Sequence, residues 1–251
     1  MASVLQADTF GPGYSRRQAP VQAVLFDLDG TLLDTAPDLI ETAQVLREEH
    51  GLPRLDAGHF GPVVSHGSAA MLARAFNIHP ADDAMQPLRE RFLQGYRTRV
   101  SERTRPFPGM IELLDELDRR RIIWGVVTNK PAWLTNPLLR DLGLAGRSRC
   151  IVCGDTLPQR KPHPAPVIHA CKLLGVEPAR TVLVGDAMRD VDAGQRAGTR
   201  TLAALFGYIC AEDEPWRWGA DAFLDRPGDL PFWLDAIAGH SPPGNGNGTA
   251  P

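Results

Sequence analysis

The feature that most constrains this chain is a short apolar run, Val21, Ala23, Val24, Leu25 and Phe26, that breaks into Asp27-Leu28-Asp29-Gly30-Thr31. Near-continuous apolar character is what a strand buried on both faces requires, and the abrupt change to carboxylates and glycine marks its passage into a loop. The pattern predicts an interior parallel strand whose carboxyl end carries chemistry. On a continued pleat, Asp27 and Asp29 fall on the same side. Two carboxylates held that close repel each other, and either a divalent cation or a proton on one of them relieves the repulsion. Asp-Gly is also a common turn signal, so the stretch gains a function only together with the rest of the chain.

From Pro106 onward, strand-like and helix-like stretches alternate. Ile122 to Val127 runs into Thr128-Asn129-Lys130, Cys150 to Cys153 ends at Gly154-Asp155, and Thr181 to Val184 ends at Gly185-Asp186. Further strands are expected near Thr201 to Leu205 and near Ala222 to Leu224, with helices around Leu134 to Leu142 and through Cys171 to Leu174. Repeated βα units favour a mostly parallel sheet with helices on both faces, an α/β architecture that binds ligands beyond the carboxyl ends of its strands. Between Pro37 and Arg105 the pattern is helical throughout. Leu39, Ala43 and Leu46 share one face up to Gly51, Met71, Leu72, Ala75 and Phe76 another, and Met85 to Val100 make a longer stripe. The expected organisation is a core of residues 21–36 and 106–238 interrupted by an all-helical domain at 37–105. Residues 1–20 and 239–251 lack periodicity and are expected to be a flexible extension and a disordered tail.

Composition narrows the function classes. With 43% hydrophobic and 23% charged residues and a net charge of −3, the 251-residue chain has no basic footprint for nucleic acid or an anionic membrane. It has no apolar stretch of membrane-spanning length and no signal-peptide run near its start, so a cytoplasmic protein is expected. Four cysteines do not make a disulfide framework. Cys150 and Cys153 form a C-x-x-C, but it has no second pair for zinc and falls in a strand rather than at a helix start. They read as buried thiols.

The polar residues at the strand ends suit phosphoryl transfer, which needs a nucleophile, a proton donor, a cation site and anion-binding groups. Asp27 can act as nucleophile, and Asp29 can protonate the leaving oxygen and later deprotonate water. Asp186 with Asp27 and a backbone carbonyl offers an oxygen ligand set suited to Mg²⁺, with Asp190 one helical turn on. Thr128 and the Asn129 amide can bind phosphate oxygens, and Lys161 can supply fixed positive charge. His66 and Ser68 are read equally as substrate contacts or as solvent-facing loop residues. Tyr208, Trp216 and Trp218 read as packing of the C-terminal segment more than as a sugar-binding face.

The motifs Phe26-Asp-Leu-Asp-Gly-Thr-Leu-Leu-Asp34, Val127-Thr-Asn-Lys130, Lys161-Pro-His-Pro164 and Val184-Gly-Asp-Ala-Met-Arg-Asp190 together resemble those of the haloacid dehalogenase superfamily of phosphohydrolases. The resemblance runs from Val21 to Asp235. It implies a Rossmann-like, doubly wound core with an inserted helical cap, Mg²⁺ dependence and an aspartyl-phosphate intermediate. It also implies catalytic roles for Asp27, Asp29, Thr128 and Lys161 and metal ligation by Asp27, Asp29 and Asp186 with Asp190 behind them. Gly30, Thr128, Asn129 and Lys161 would bind phosphate, and His66, Gly67 and Ser68 of the cap would meet the substrate. The second aspartate, Asp29, points to phosphoryl transfer rather than dehalogenation. Trp124 to Pro131, Gly198 to Thr201, Phe206 to Ile209 and Trp218 to Asp221 are similar to the phosphoglycolate phosphatase group and, more narrowly, to the N-acetylmuramic acid 6-phosphate phosphatases of bacterial cell-wall recycling. The cap loop departs from that group: it reads Pro62-Val-Val-Ser-His-Gly-Ser68 where an arginine and a glycine pair are frequent. The partner implied is a small phosphate monoester bound by a monomer or homodimer. The alternatives are a phosphomutase, which would return the phosphoryl group to a second hydroxyl, and a non-catalytic interaction module on the same fold.

Overall fold

The structure, a computed structural model, describes residues 20–64, 66–210 and 212–238. The expected tail and all but the last residue of the expected N-terminal extension lie outside the described residues. The opening apolar run forms β1 (Ala23–Phe26), whose four residues are fully buried. A two-residue strand, β2 (Leu33–Asp34), is followed by three helices, α1 (Ala36–Glu49), α2 (Ser68–Phe76) and α3 (Met85–Thr98), and then by β3 (Arg105–Pro106). Strands and helices then alternate as α4 (Met110–Arg119), β4 (Ile123–Val127), α5 (Ala132–Asp141), β5 (Ile151–Val152) and α6 (Ala165–Leu174). The chain continues through β6 (Thr181–Gly185), α7 (Met188–Ala197), β7 (Arg200–Ala204), β8 (Ala222–Leu224) and α8 (Leu230–Ile237).

Six strands make a parallel sheet in the order β5-β4-β1-β6-β7-β8. Strand β1 is central because each of its residues must be covered on both faces. Val24 and Phe26 join an apolar cluster with Met110, Leu113 and Leu117 of α4 and Leu230, Trp233 and Leu234 of α8. Leu25 points the other way, into a cluster with Val167 and Ala170 of α6 and Ala193 of α7. Helices thus cover both faces, as the continuous apolar strands require. This is the doubly wound α/β sheet expected from the sequence.

Register brings the strand ends together. Phe26 lies opposite both Val126 and Val184, so the chain leaves β1, β4 and β6 at one level of the sheet edge. Asp27, Thr128 and Asp186 follow at or one residue beyond that level. The antiparallel pair β2–β3, with Asp34 opposite Arg105, joins the two chain segments that lead into and out of the helices. Strands of two residues have no periodicity to read, so sequence patterning does not reveal this pair. Beside it the buried Asp38 carboxylate accepts hydrogen bonds from the backbone N–H groups of Arg103 and Thr104 (2.8–3.0 Å) and from Thr104 Oγ1 (2.7 Å), fixing the return of the chain to the start of α1. Helices α1–α3 pack together through Leu39, Ala43, Met71, Leu72, Leu88 and Phe92, and that cluster is continuous with the one under the sheet.

Candidate active site

Asp27, Asp186 and Asp190 converge at the sheet edge: one carboxylate oxygen from each lies within 4.8 Å of the others, and all three residues are buried. The Lys161 ammonium sits among them, 2.8 Å from Asp27 Oδ1 and 2.6 Å from Asp190 Oδ1, and it donates to the Val127 carbonyl (2.6 Å). Arg189 Nη2 is 3.8 Å from Asp27 Oδ2. Leu28 N–H donates to Asp27 Oδ1 at 2.7 Å. Burial, followed by the Asp27 and Asp190 charges, pushes the Asp186 carboxyl up to about 8. Asp190 is raised as well, by burial first, although Lys161 opposes the shift. Burial alone would lower Lys161, but Asp190 and Asp27 together hold it above the usual lysine range. Three buried carboxylates facing one another with the lysine on one side fit a divalent cation, whose charge would relieve their repulsion and displace the proton from Asp186.

Glycine makes this convergence possible. Gly30 has φ +84°, and a Cβ there would fall 2.0 Å from Asp186 Oδ2, so only a bare backbone lets the loop after β1 approach the carboxylate. The Gly30 N–H donates to the Leu33 carbonyl at 3.0 Å.

Strand β1 ends at Phe26 and the chain turns, yet Asp27 and Asp29 both face one cavity. Asp29 Oδ1 accepts from Lys130 Nζ (2.8 Å) and Thr35 Oγ1 (2.7 Å), and its carboxylate is not part of the three-carboxylate group. The Asp29 side chain is thus held in an ion pair of its own, beside the three-carboxylate group. Lys130 also donates to the Tyr96 hydroxyl (2.9 Å) from α3. Burial opposes the charge on Lys130, but Asp29 and then Tyr96 outweigh it and hold the ammonium above the usual lysine range. Burial raises the Tyr96 hydroxyl to about 12, so Tyr96 acts as a neutral partner.

A cavity of about 300 Å³ opens above this floor. Asp27, Asp29, Thr128, Asn129 and Lys130 line its sheet side, and His66, Gly67, Ser68, Arg89, Phe92 and Tyr96 line its helical side. Lys161, Asp186 and Asp190 lie behind Asp27 rather than on the cavity surface. The Asn129 side chain is used structurally, its amide donating to the Lys161 carbonyl (2.9 Å) and its oxygen accepting from Lys161 N–H (3.0 Å). That clamp fixes the loop bearing the buried ammonium. The three cap-loop residues named from sequence do face the cavity. Arg89, from α3, donates through Nε to Ser68 Oγ at 3.1 Å.

Sequence reasoning missed Lys130, Arg189, Arg89 and Tyr208. The first two stand inside the quoted motifs, beside residues that were chosen. Tyr208 donates its N–H to Asp186 Oδ2 (3.0 Å) and its hydroxyl to Asp34 Oδ1 (2.7 Å), while Ala36 N–H donates to that hydroxyl (2.7 Å). It ties the carboxylate cluster to the strand leading into the helices. Trp218 is buried against Val191 and Ala203, and Trp216 is exposed. Cys150 and Cys153 are free, buried thiols, and burial pushes Cys150 up to about 12.

Comparison with known proteins agrees with this architecture. Residues 24–204 match the family model of haloacid dehalogenase-like hydrolases. Over 215 residues the chain is 46% identical to an N-acetylmuramic acid 6-phosphate phosphatase of Pseudomonas aeruginosa, covering 86% of this chain and 95% of that one. It is 42% identical to a phosphoglycolate phosphatase of Xanthomonas campestris, covering 83% and 94% of the two chains. Among solved structures, a predicted phosphoglycolate phosphatase from Haemophilus somnus superposes with a TM-score of 0.75 at 26% identity, over 85% of this chain and 97% of that one. The chain belongs to the haloacid dehalogenase-like hydrolases. Within that family it is a phosphatase, an enzyme of phosphate-monoester hydrolysis.

Proposed function

We propose that the substrate is a phosphate monoester that also carries a carboxyl group, N-acetylmuramic acid 6-phosphate in the first place and phosphoglycolate in the second, hydrolysed through phosphorylated Asp27. The observation that carries this reading is Asp27 itself: a buried carboxylate exposed only to the cavity, backed by Lys161 and a three-carboxylate group. An oxygen of Asp27 attacks phosphorus, and the ester oxygen leaves with a proton. Water then attacks the phosphorylated Asp27, losing a proton to the carboxylate that had supplied the first. Asp29 takes that second role. Its Oδ1 is filled by Lys130 and Thr35, so the moving proton belongs on Oδ2.

Asp27 and Asp186, with Asp190 behind them, would hold Mg²⁺, which supplies positive charge opposite the phosphoryl oxygens. Thr128 and the backbone of Asn129 border the space for those oxygens. The helical insert, residues 37–105, serves as the cap that excludes water from the site. Arg89 and Arg160 line the cavity, and neither is ion-paired among the described residues, which supports a second anionic group on the substrate. The cavity volume, about 300 Å³, is at the small-molecule end of pocket sizes and roomy for a two-carbon acid, which favours the sugar. The cytoplasm is the proposed compartment, in keeping with four free thiols.

Phosphate release from a panel of esters, with Mg²⁺ and with EDTA, tests the reading. Turnover is expected only with metal, highest on the carboxyl-bearing esters and absent from Asp27→Asn. Equal rates on esters with and without a carboxyl group would overturn the substrate assignment. Activity in EDTA would overturn the metal.

A further inference from the structure

A second cluster of metal-ligating side chains lies at the margin of the cavity. His66 comes from the loop between α1 and α2, while Cys210 and Asp213 come from the loop after β7. One ligand atom from each lies within 4.8 Å of the others. The Asp213 carboxylate is pre-set by the Cys210 N–H, which donates to Oδ2 at 3.0 Å, and Asp213 N–H donates back to the Cys210 carbonyl at 3.1 Å. The His66 ring makes no hydrogen bond among the described residues.

We propose that His66, Cys210 and Asp213 form a site for a borderline-soft divalent cation of the zinc class, and that an ion there straps the helical insert to the core. The donor set decides the class of ion. One imidazole nitrogen, one thiolate and one carboxylate, with water in the fourth position, is a tetrahedral zinc set, and thiolate discriminates against Mg²⁺. The all-oxygen group around Asp27 has the opposite preference. Tetrahedral bonds of about 2.0–2.3 Å set ligand separations of roughly 3.3–3.8 Å, which a small rotamer adjustment reaches from the observed spacing. Binding forms three metal–ligand bonds, releases the Cys210 thiol proton and the ion's displaced waters to solvent, and changes no oxidation state.

The position gives the site its consequence. His66 lines the cavity, and Cys210 and Asp213 belong to the loop that carries Tyr208, the residue tied to Asp186 and Asp34. An ion bound by all three holds the cavity margin shut from both sides, slowing substrate entry and product release. That effect on turnover rests on the phosphatase reading; the metal site does not.

The test uses Co²⁺ on the full chain in saturating Mg²⁺, followed by the near-ultraviolet thiolate-to-cobalt charge-transfer band, which the catalytic carboxylates cannot produce. The wild type should show the band, and added Zn²⁺ should bleach it. Cys210→Ser should lose it, and His66→Ala should weaken cobalt binding by roughly tenfold or more, one ligand of three being gone. Zn²⁺ should inhibit the wild type, and Cys210→Ser should keep its basal activity while needing roughly tenfold more zinc for the same inhibition. No band in the wild type, or a band that survives Cys210→Ser, would overturn the site. Equal zinc sensitivity of the two proteins would overturn the strap. The cobalt band needs no turnover, so its failure is distinct from failure of the phosphatase reading.

Discussion

The floor of the cavity and its helical wall handle charge in opposite ways. On the floor, Asp27, Lys161, Asp186 and Asp190 are each no more than 3% exposed and face charged partners within the protein. On the wall, His66 and Gly67 are exposed, and among the described residues Arg89 has only a serine hydroxyl as its side-chain partner. The floor is a set of mutually fixed charges built for one kind of chemistry, because a low-dielectric site makes each charge depend on its neighbours. The wall leaves its donors unspent, so a substrate can use them. On the proposed reading, chemistry resides where partners are internal and selectivity where they are missing.

Breaking the floor should therefore cost far more than altering the wall. Asp27→Asn should lower kcat by at least about 10³-fold with the fold retained, because no other carboxylate can be phosphorylated in its place; steady-state phosphate release and circular dichroism check both halves. Lys161→Met should destabilise the protein by about 3–5 kcal/mol in urea unfolding, since it strips a buried ammonium from Asp27 and Asp190.

Asp186→Asn should behave in the opposite sense when metal is removed. The Asp186 carboxyl is held at about 8, above its ordinary value, so the folded protein keeps the proton that the unfolded chain loses. Metal-free stability therefore falls as pH rises, and the loss is complete above about 8. In EDTA the asparagine variant should gain on the order of 5 kcal/mol over wild type near pH 8, and the gain should vanish as pH falls toward about 4. A gain independent of pH would mean that repulsion among these carboxylates is not what sets the cost.

On the wall, Arg89→Ala should raise KM about tenfold for a carboxyl-bearing ester and leave kcat and the KM of a sugar phosphate without a carboxyl group nearly unchanged. Tyr208→Phe should have the smallest effect, a loss of about 1 kcal/mol in stability from the hydrogen bonds to Asp34 and Ala36.

Much of the floor was legible in the sequence because parallel strands buried on both faces announce themselves as apolar runs, and the residues after them share one edge. Asp27, Thr128, Asp186 and Asp190 follow from that rule alone, as does the sheet. The partner of Asp29 did not follow. Lys130 lies 101 residues away in the chain, and nothing local distinguishes it from the neighbouring Asn129. Where the pleat ends did not follow either, because a strand's last residue is set by its hydrogen-bonding neighbours, and β1 stops pairing at Phe26. The Asp38 lock and the β2–β3 pair escaped for a similar reason: each depends on one or two residues meeting across the whole helical insert.

The sequence by itself determined the class of fold, the family and which acidic residues gather at the sheet edge, because burial and strand order are properties of patterns that repeat along the chain. Tertiary structure alone decided which charge answers which. It set Asp27 against Lys161, Asp29 against Lys130 and Tyr208 between Asp186 and Asp34, and it brought Arg89 and His66 over the cavity. Ion pairs and hydrogen bonds act over a few ångströms in space without regard to separation in sequence, so only the folded chain could choose them.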